Sequence, residues 1–237
     1  MAEVATEPRG AEHDLVVPVF GQRANLREQV TEVLRGGIIT GVMSPGALYS
    51  APTLAEKFGV SATPVREAML DLAKEGLVEA VRNKGFRVTE PTDAELDDMT
   101  ALRMLIEVPT CADIARRYTP AWDGHIAELR VVAQEIIASA QRGDLISYVE
   151  ADRRFHLGLL ELAGNGQLVA MVGQLRARSR LYGLDELARR GQLARSAAEH
   201  VQLLDLVQAG DSEQAGELTR RHIGHVRGLW AGRTEPA

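Results

Sequence analysis

Between Leu54 and Gly76 the apolar positions fall into two short helical stripes separated by one glycine. Leu54, Ala55 and Phe58 stand at i, i+1 and i+4, one face of a short helix. Val65, Ala68, Met69 and Leu72 stand at i, i+3, i+4 and i+7, the buried stripe of a second. Gly59 between them tolerates the positive φ of a sharp turn. Thr63 is the expected cap of the second helix, and Pro64 suits its first turn, where an amide has no partner. Arg66, Glu67, Leu70, Asp71 and Lys74 are left pointing outward. Helix, tight turn and capped helix make a helix-turn-helix, which lays its second helix in the major groove of DNA.

The spacing changes to a period of two over Leu77–Val81, breaks at Arg82-Asn83-Lys84-Gly85 and returns in Phe86-Arg87-Val88, which predicts a β-hairpin. Upstream, Leu26, Val30, Val33, Leu34 and Ile38 predict one more amphipathic helix, closing a three-helix core. Pro91 then interrupts, and Thr92 with Glu95 forms a capping-box start. Beyond it only helices are predicted: Asp93 to about Tyr118, bent near Pro109; Thr119-Pro120 to Gly143; Asp144 to about Gly166; then to about Gly191; Gln192 to Ala209; and Asp211 to about Ala231. Gln141-Arg142-Gly143-Asp144 and Gln208-Ala209-Gly210-Asp211 each place a glycine stop before an aspartate cap. The predicted fold is mainly α: a winged helix-turn-helix followed by an all-α antiparallel bundle. The expected limits are a tail over 1–22, a DNA-binding domain over 23–90, a helical effector domain over 91–233 and a short tail over 234–237.

Composition sharpens this picture. Aromatic residues are 4% against 45% hydrophobic, so the interior is aliphatic, as in many bundles. The net charge is −6, and between Arg23 and Glu90 nine Lys/Arg meet eight Asp/Glu. Affinity for DNA must therefore come from the placement of cations on one face rather than from their number. Cys111 is the single cysteine, which excludes an internal disulfide, and its apolar helical setting predicts an inert buried thiol. No apolar run approaches the roughly 20 residues needed to span a bilayer. No secretory leader pattern opens the chain, so a cytoplasmic protein without a membrane partner is expected. Leu15–Phe20 forms a short apolar patch in the tail.

One constellation carries metal-binding chemistry. Asp152 and His156 are four apart and leave the same helix face. His200 and His222 lie on the two last predicted helices. One carboxylate and three imidazoles brought together by three helices can hold a divalent ion in a bundle interior, or each can serve a surface hydrogen bond. Arg176, Arg178 and Arg180 alternate around one helix; one can face the pocket, although solvent or an interface is the first expectation. His13, His125 and His225 are expected in solvated or capping positions.

Residues 24–90 resemble the winged helix of the GntR family of bacterial transcription regulators, through Pro45-Gly46, LAEKFGVSATPVREAM, LAKEGLV and NKGFRV. Residues 93–231 resemble the helical ligand domain of the FadR-type branch, known as FCD. The matching residues are Leu102-Arg103 with Glu107, Asp152-x-x-Phe155-His156, Leu162-Ala163-Gly164-Asn165, Glu199-His200 and His222. The resemblance implies a divalent metal on Asp152, His156, His200 and His222: zinc foremost, with nickel, manganese or iron also suited to such donors. It implies that Arg103 binds the carboxylate of a small organic acid effector. Asn165 either adds a polar contact there or caps a helix. It also implies a homodimer on a near-palindromic operator, touched by Lys57, Thr63, Arg66, Lys84 and Gly85.

Two departures stand out. Ala62 replaces the arginine common after the serine of the Val-Ser turn, and Ala51-Pro52 replace an acidic and a basic residue. Fewer phosphate contacts and a larger share for Arg66 are expected. A metal-sensing regulator is an alternative. A metal-dependent enzyme is another, although no His-Glu-x-x-His segment, nucleophile elbow or phosphate loop is present.

Overall fold

In a computed structural model of the chain the described residues are 26–179 and 193–225. The terminal tails, the Leu15–Phe20 patch, His13, Arg180 and the ends predicted for the fourth and last bundle helices lie outside them. The chain divides into two compact units. One runs to Ala73 and adds Val78–Val88; the other takes Lys74–Leu77 and continues from Thr89.

The first unit contains α1 (Leu26–Ile39), β1 (Leu48–Tyr49), α2 (Ala51–Phe58), α3 (Ala62–Lys74), β2 (Val78–Val81) and β3 (Gly85–Val88). Val30, Leu34, Leu54, Phe58, Val65, Met69 and Leu72 are buried together, the apolar stripes of the three helices. Ser50 starts α2 by accepting the Thr53 amide, and Gly59 ends it at φ 65°. The cap expected at Thr63 is corrected: α3 begins one residue earlier, so Thr63 is its second residue and is exposed. Pro64 sits third, where its missing amide costs no helical hydrogen bond.

The wing is a sheet of three antiparallel strands in the order β1-β3-β2. Sequence periodicity missed β1, because two residues are too few to show a period. Its pairing is nevertheless what fixes the wing. Gly85 has φ 122°, and a Cβ there would come within 2.3 Å of the Tyr49 carbonyl oxygen. Asn83 at φ 59° makes the other unusual turn conformation.

The second unit contains α4 (Asp93–Arg116), a 3-10 turn (Pro120–Trp122), α5 (Asp123–Arg142), α6 (Leu145–Glu161), α7 (Gly166–Ser179), α8 (Leu193–Gln208) and α9 (Ser212–Gly224). Thr92 and Glu95 form the capping box foreseen at its start. Asp144 and Asp211 each cap a helix through the amide three residues on, after glycines at φ 67° and 71°. Thr119-Pro120 opens the 3-10 turn rather than α5 itself. α4 packs along α9 and also meets α6, α7 and α8, while α5 packs on α6 and α8. Gly216 lets α9 approach α4: a Cβ there would already touch Ala112 at 3.4 Å. Among the described residues no helix is long and apolar enough to cross a membrane.

Gly85→Ala is expected to cost about 1–3 kcal/mol from backbone strain alone, with the clash at Tyr49 added. Thermal unfolding of the first unit should move down, with the second unit's transition unchanged.

Candidate metal centre and DNA-reading helix

α6 presents Asp152 and His156 from successive turns of one face, α8 presents His200 and α9 presents His222. All four are buried. Their ligand atoms lie within 4.8 Å of one another. His156 Nε2 is 3.1 Å from His200 Nε2 and 3.2 Å from His222 Nε2. Asp152 Oδ1 is 3.1 Å from His200 Nε2 and 3.6 Å from His156 Nε2. Donors bound about 2.0–2.1 Å from one ion stand about 2.8–3.0 Å apart at octahedral angles and about 3.3–3.4 Å apart at tetrahedral ones. Three of the separations, 3.1–3.2 Å, fall between these values, and the four side chains could hold one ion.

Hydrogen placement supports the same conclusion. His200 Nδ1 lies 3.0 Å from the Ala197 carbonyl, and His222 Nδ1 lies 2.8 Å from Glu199 Oε2. Both partners only accept, so each Nδ1 carries the hydrogen and each Nε2 turns a lone pair inward. Burial first, then the Arg176 guanidinium, push His156 well below the usual imidazole range, so it stays neutral. A neutral His156 can donate to only one of its neighbours. Inward lone pairs beside a carboxylate repel unless a cation lies among them, so these residues fit a divalent ion. The edge of Phe155 packs against His200, with ring centres 4.8 Å apart, and holds that imidazole in place.

A second layer of charge braces the first. Arg176 donates through Nη1 to Glu107 Oε2 at 2.7 Å and through Nη2 to Asp152 Oδ2 at 3.0 Å. Asp152 thus spends one oxygen on Arg176 and turns the other to the histidines. Arg103 donates through Nε to Glu107 Oε1 at 2.6 Å. Its Nη1 and Nη2 are buried without a hydrogen-bond partner. Burial pulls the Glu107 carboxyl up, but Arg103 and Arg176 together outweigh it and bring it down to about 2. Burial lowers both guanidinium groups from their ordinary value.

Arg176 is not at solvent but 2% exposed, because α7 turns that position toward α4 and α6. His225 is the C-cap of α9, one of the positions expected for it, and is buried, with Nδ1 3.5 Å from Glu199 Oε2. His125 is half-buried and binds the Gly158 carbonyl at 2.8 Å. Asn165 is exposed and caps α7 by accepting the Leu168 amide, and it does not line the cavity at the histidines. Sequence reasoning gave Glu199 no role; its position beside His200 was the available signal. Cys111 is buried, and burial pushes its thiol up to about 12. The cavity among Glu107, His156, His200, His222 and Thr219 measures about 10 Å³.

In the first unit α3 exposes Thr63, Arg66, Glu67 and Leu70 along one stripe. Asp71 is half-buried and pairs with Arg27 of α1. Lys57 is exposed in the last turn of α2, and Lys84 is exposed in the β2–β3 turn. Arg87, also exposed, pairs with Glu79 across the hairpin at 3.0 Å. Ala62 is exposed at the start of α3, whereas Ala51 is buried.

Comparison with known proteins agrees with both halves. Residues 26–88 match the bacterial regulatory proteins of the gntR family, and residues 98–225 match the FCD domain. An HTH-type transcriptional regulator in an unstable DNA locus of Streptomyces ambofaciens is 30% identical over 201 residues, covering 83% of this chain and 81% of that one. McbR of Escherichia coli K12, an HTH-type transcriptional regulator, is 27% identical over 194 residues, covering 81% and 86%. A protein of Paenarthrobacter nicotinovorans named as a probable D-xylose utilization operon transcriptional repressor is 27% identical over 209 residues, covering 85% and 87%. The solved structure of E. coli McbR/YncC superimposes with a TM-score of 0.67 at 26% identity, covering 83% of this chain and 92% of that one. The chain belongs to the GntR family of bacterial regulators, in the group that carries an FCD domain. It is a DNA-binding transcription regulator, and the enzyme reading falls with that assignment.

The depressed Glu107 carboxyl has a direct consequence for acid stability. Its folded value lies below its ordinary 4.5, so its contribution is complete above about 4.5 and is lost as pH falls through about 2. Denaturant unfolding across pH 5 to 2 should show wild type losing stability in that window, with a flatter profile in Glu107→Gln.

Proposed function

We propose that the protein is a cytoplasmic repressor that binds a near-palindromic operator as a homodimer. In this reading its operator affinity is set by a small carboxylate metabolite bound beside a divalent metal. Asp152, His156, His200 and His222 would hold the ion, zinc foremost and nickel, manganese or iron suited as well. The ion would supply a Lewis-acidic point that draws an oxygen ligand. Arg66, Thr63, Lys57, Lys84 and the Gly85 turn would meet the DNA. The observation that carries the reading is the pair of buried Arg103 Nη atoms, without a hydrogen-bond partner among the described residues, on a side chain joined through Glu107 and Arg176 to Asp152.

Charge balance points the same way. Among the buried groups Arg103 and Arg176 offset Glu107 and Asp152, and half-exposed Arg221 offsets Glu199. A divalent ion adds positive charge to a network already neutral, so an anion is the favoured companion. A planar guanidinium fork suits a carboxylate in particular. The ligand regulates only if it binds the DNA-free and DNA-bound forms unequally.

A second reading, in which the ion itself is the signal, is favoured by the cavity. At about 10 Å³ it has room for one water-sized body and none for a metabolite in this conformation. In the metabolite reading the helices around it must part.

Two measurements test the proposal. Metal analysis after dialysis should find one divalent ion per chain in wild type and none in His200→Ala. With the ion loaded, a panel of mono- and dicarboxylic acids is titrated against operator binding. An affinity shift that Arg103→Lys reduces supports the metabolite; no shift with any acid, but a change on stripping the metal, supports the ion as signal.

At the DNA, Arg66→Ala is expected to cost about 1–3 kcal/mol if the side chain reads a base edge. An unchanged affinity on the true operator would remove Arg66 from the contact list.

A further inference from the structure

We propose that Glu199 is the positioning residue for His222, fixing which of its ring nitrogens faces the metal centre. The inference rests on the metal-centre reading above and assigns a task to a side chain outside the ligand set. Glu199 and His200 are neighbours on α8, about 100° apart around the helix axis. His200 faces Asp152 and His156, while Glu199 faces α9. One helix therefore gives the centre a direct donor and the partner of another donor.

The geometry separates this role from ligation. Glu199 is 4% exposed, and each of its oxygens is engaged from α9. Oε2 accepts from His222 Nδ1 at 2.8 Å, and Oε1 accepts from Arg221 Nε at 3.2 Å. Two donors one residue apart hold the carboxylate in place, so it does not swing toward the other histidines. Oε2 also stands 3.5 Å from His225 Nδ1, and Glu199, His222 and His225 could together form a small cation cluster. The 2.8 Å separation favours a hydrogen bond over a second ion, because such an ion would need the His222 Nδ1 electron pair. With Nδ1 committed to the carboxylate, Nε2 keeps its lone pair toward His156, 3.2 Å away. A carboxylate on the far nitrogen also makes the near nitrogen a stronger donor.

Without Glu199, His222 would be free to carry its hydrogen on Nε2, which blocks it as a ligand until the ring rearranges. The test uses the full-length protein, with zinc alone as the probe and a chelating dye as competitor. Nitrogen-15 NMR of the metal-free protein reports the His222 tautomer. Wild type should hold the hydrogen on Nδ1 and bind zinc. Glu199→Ala should populate the Nε2–H form and weaken zinc binding about 10–100-fold, with Glu199→Gln between, since its amide oxygen still accepts. Where Glu199→Ala does not fold, as judged by circular dichroism, Glu199→Gln carries the comparison. Equal zinc affinity in wild type and both variants, or an Nε2–H His222 in wild type, overturns the role of Glu199 alone. A wild type that binds no zinc, nickel, manganese or iron overturns the metal-centre reading itself.

Discussion

The helical unit depends on the mutual neutralisation of Arg103, Arg176, Glu107 and Asp152 in an interior built mostly of apolar side chains. Taking one such ion out of water costs several kcal/mol after relaxation. That is more than one buried leucine returns, at about 1.5–3 kcal/mol. The arrangement persists because each charge meets an opposite one at hydrogen-bond distance. Glu107 is its centre, with one oxygen for each guanidinium. Remove that carboxylate and two buried cations face each other, which explains why α4, α6 and α7 are locked into one mutual register.

The metal centre sits at the edge of this network rather than beside it. Asp152 belongs to both: Oδ2 answers Arg176 and Oδ1 answers the histidines. From His200 a chain of contacts of 3.1 Å or less runs through Asp152 to Arg176, then to Glu107 and Arg103. In the proposed function this continuity would link a carboxylate at Arg103 to an ion at the histidines.

Much of this was legible in the chain. The apolar stripes of α3 and the Gly-Asp punctuation before α6 and α9 wrote their elements directly, since buried faces and caps are local properties. Asp152 and His156 shared a face by spacing alone. The partners of that pair were harder to read, because His200 and His222 reach it through packing that no local period encodes. Arg176 could not be singled out for the same reason: among three alternating arginines, only the arrangement of α4 and α6 around α7 decides which one turns inward. β1 was too short for periodicity, and Glu199 was hidden by the histidine next to it. Resemblance to relatives supplied the ligand set that spacing left open, but it gave no hint of the bracing layer behind it.

The bond from His125 to the Gly158 carbonyl bears on how the centre can move. Gly158 lies half a turn beyond His156, and a methyl group there would come within 2.9 Å of Leu129 on α5. At that point α5 comes close to the α6 backbone, and a roll of α6 would break the His125 bond. Asp152 and His156 are thus carried on a helix keyed to α5 just beyond them, as the helix of His200 is tied to α5 through Arg130 and Gln208.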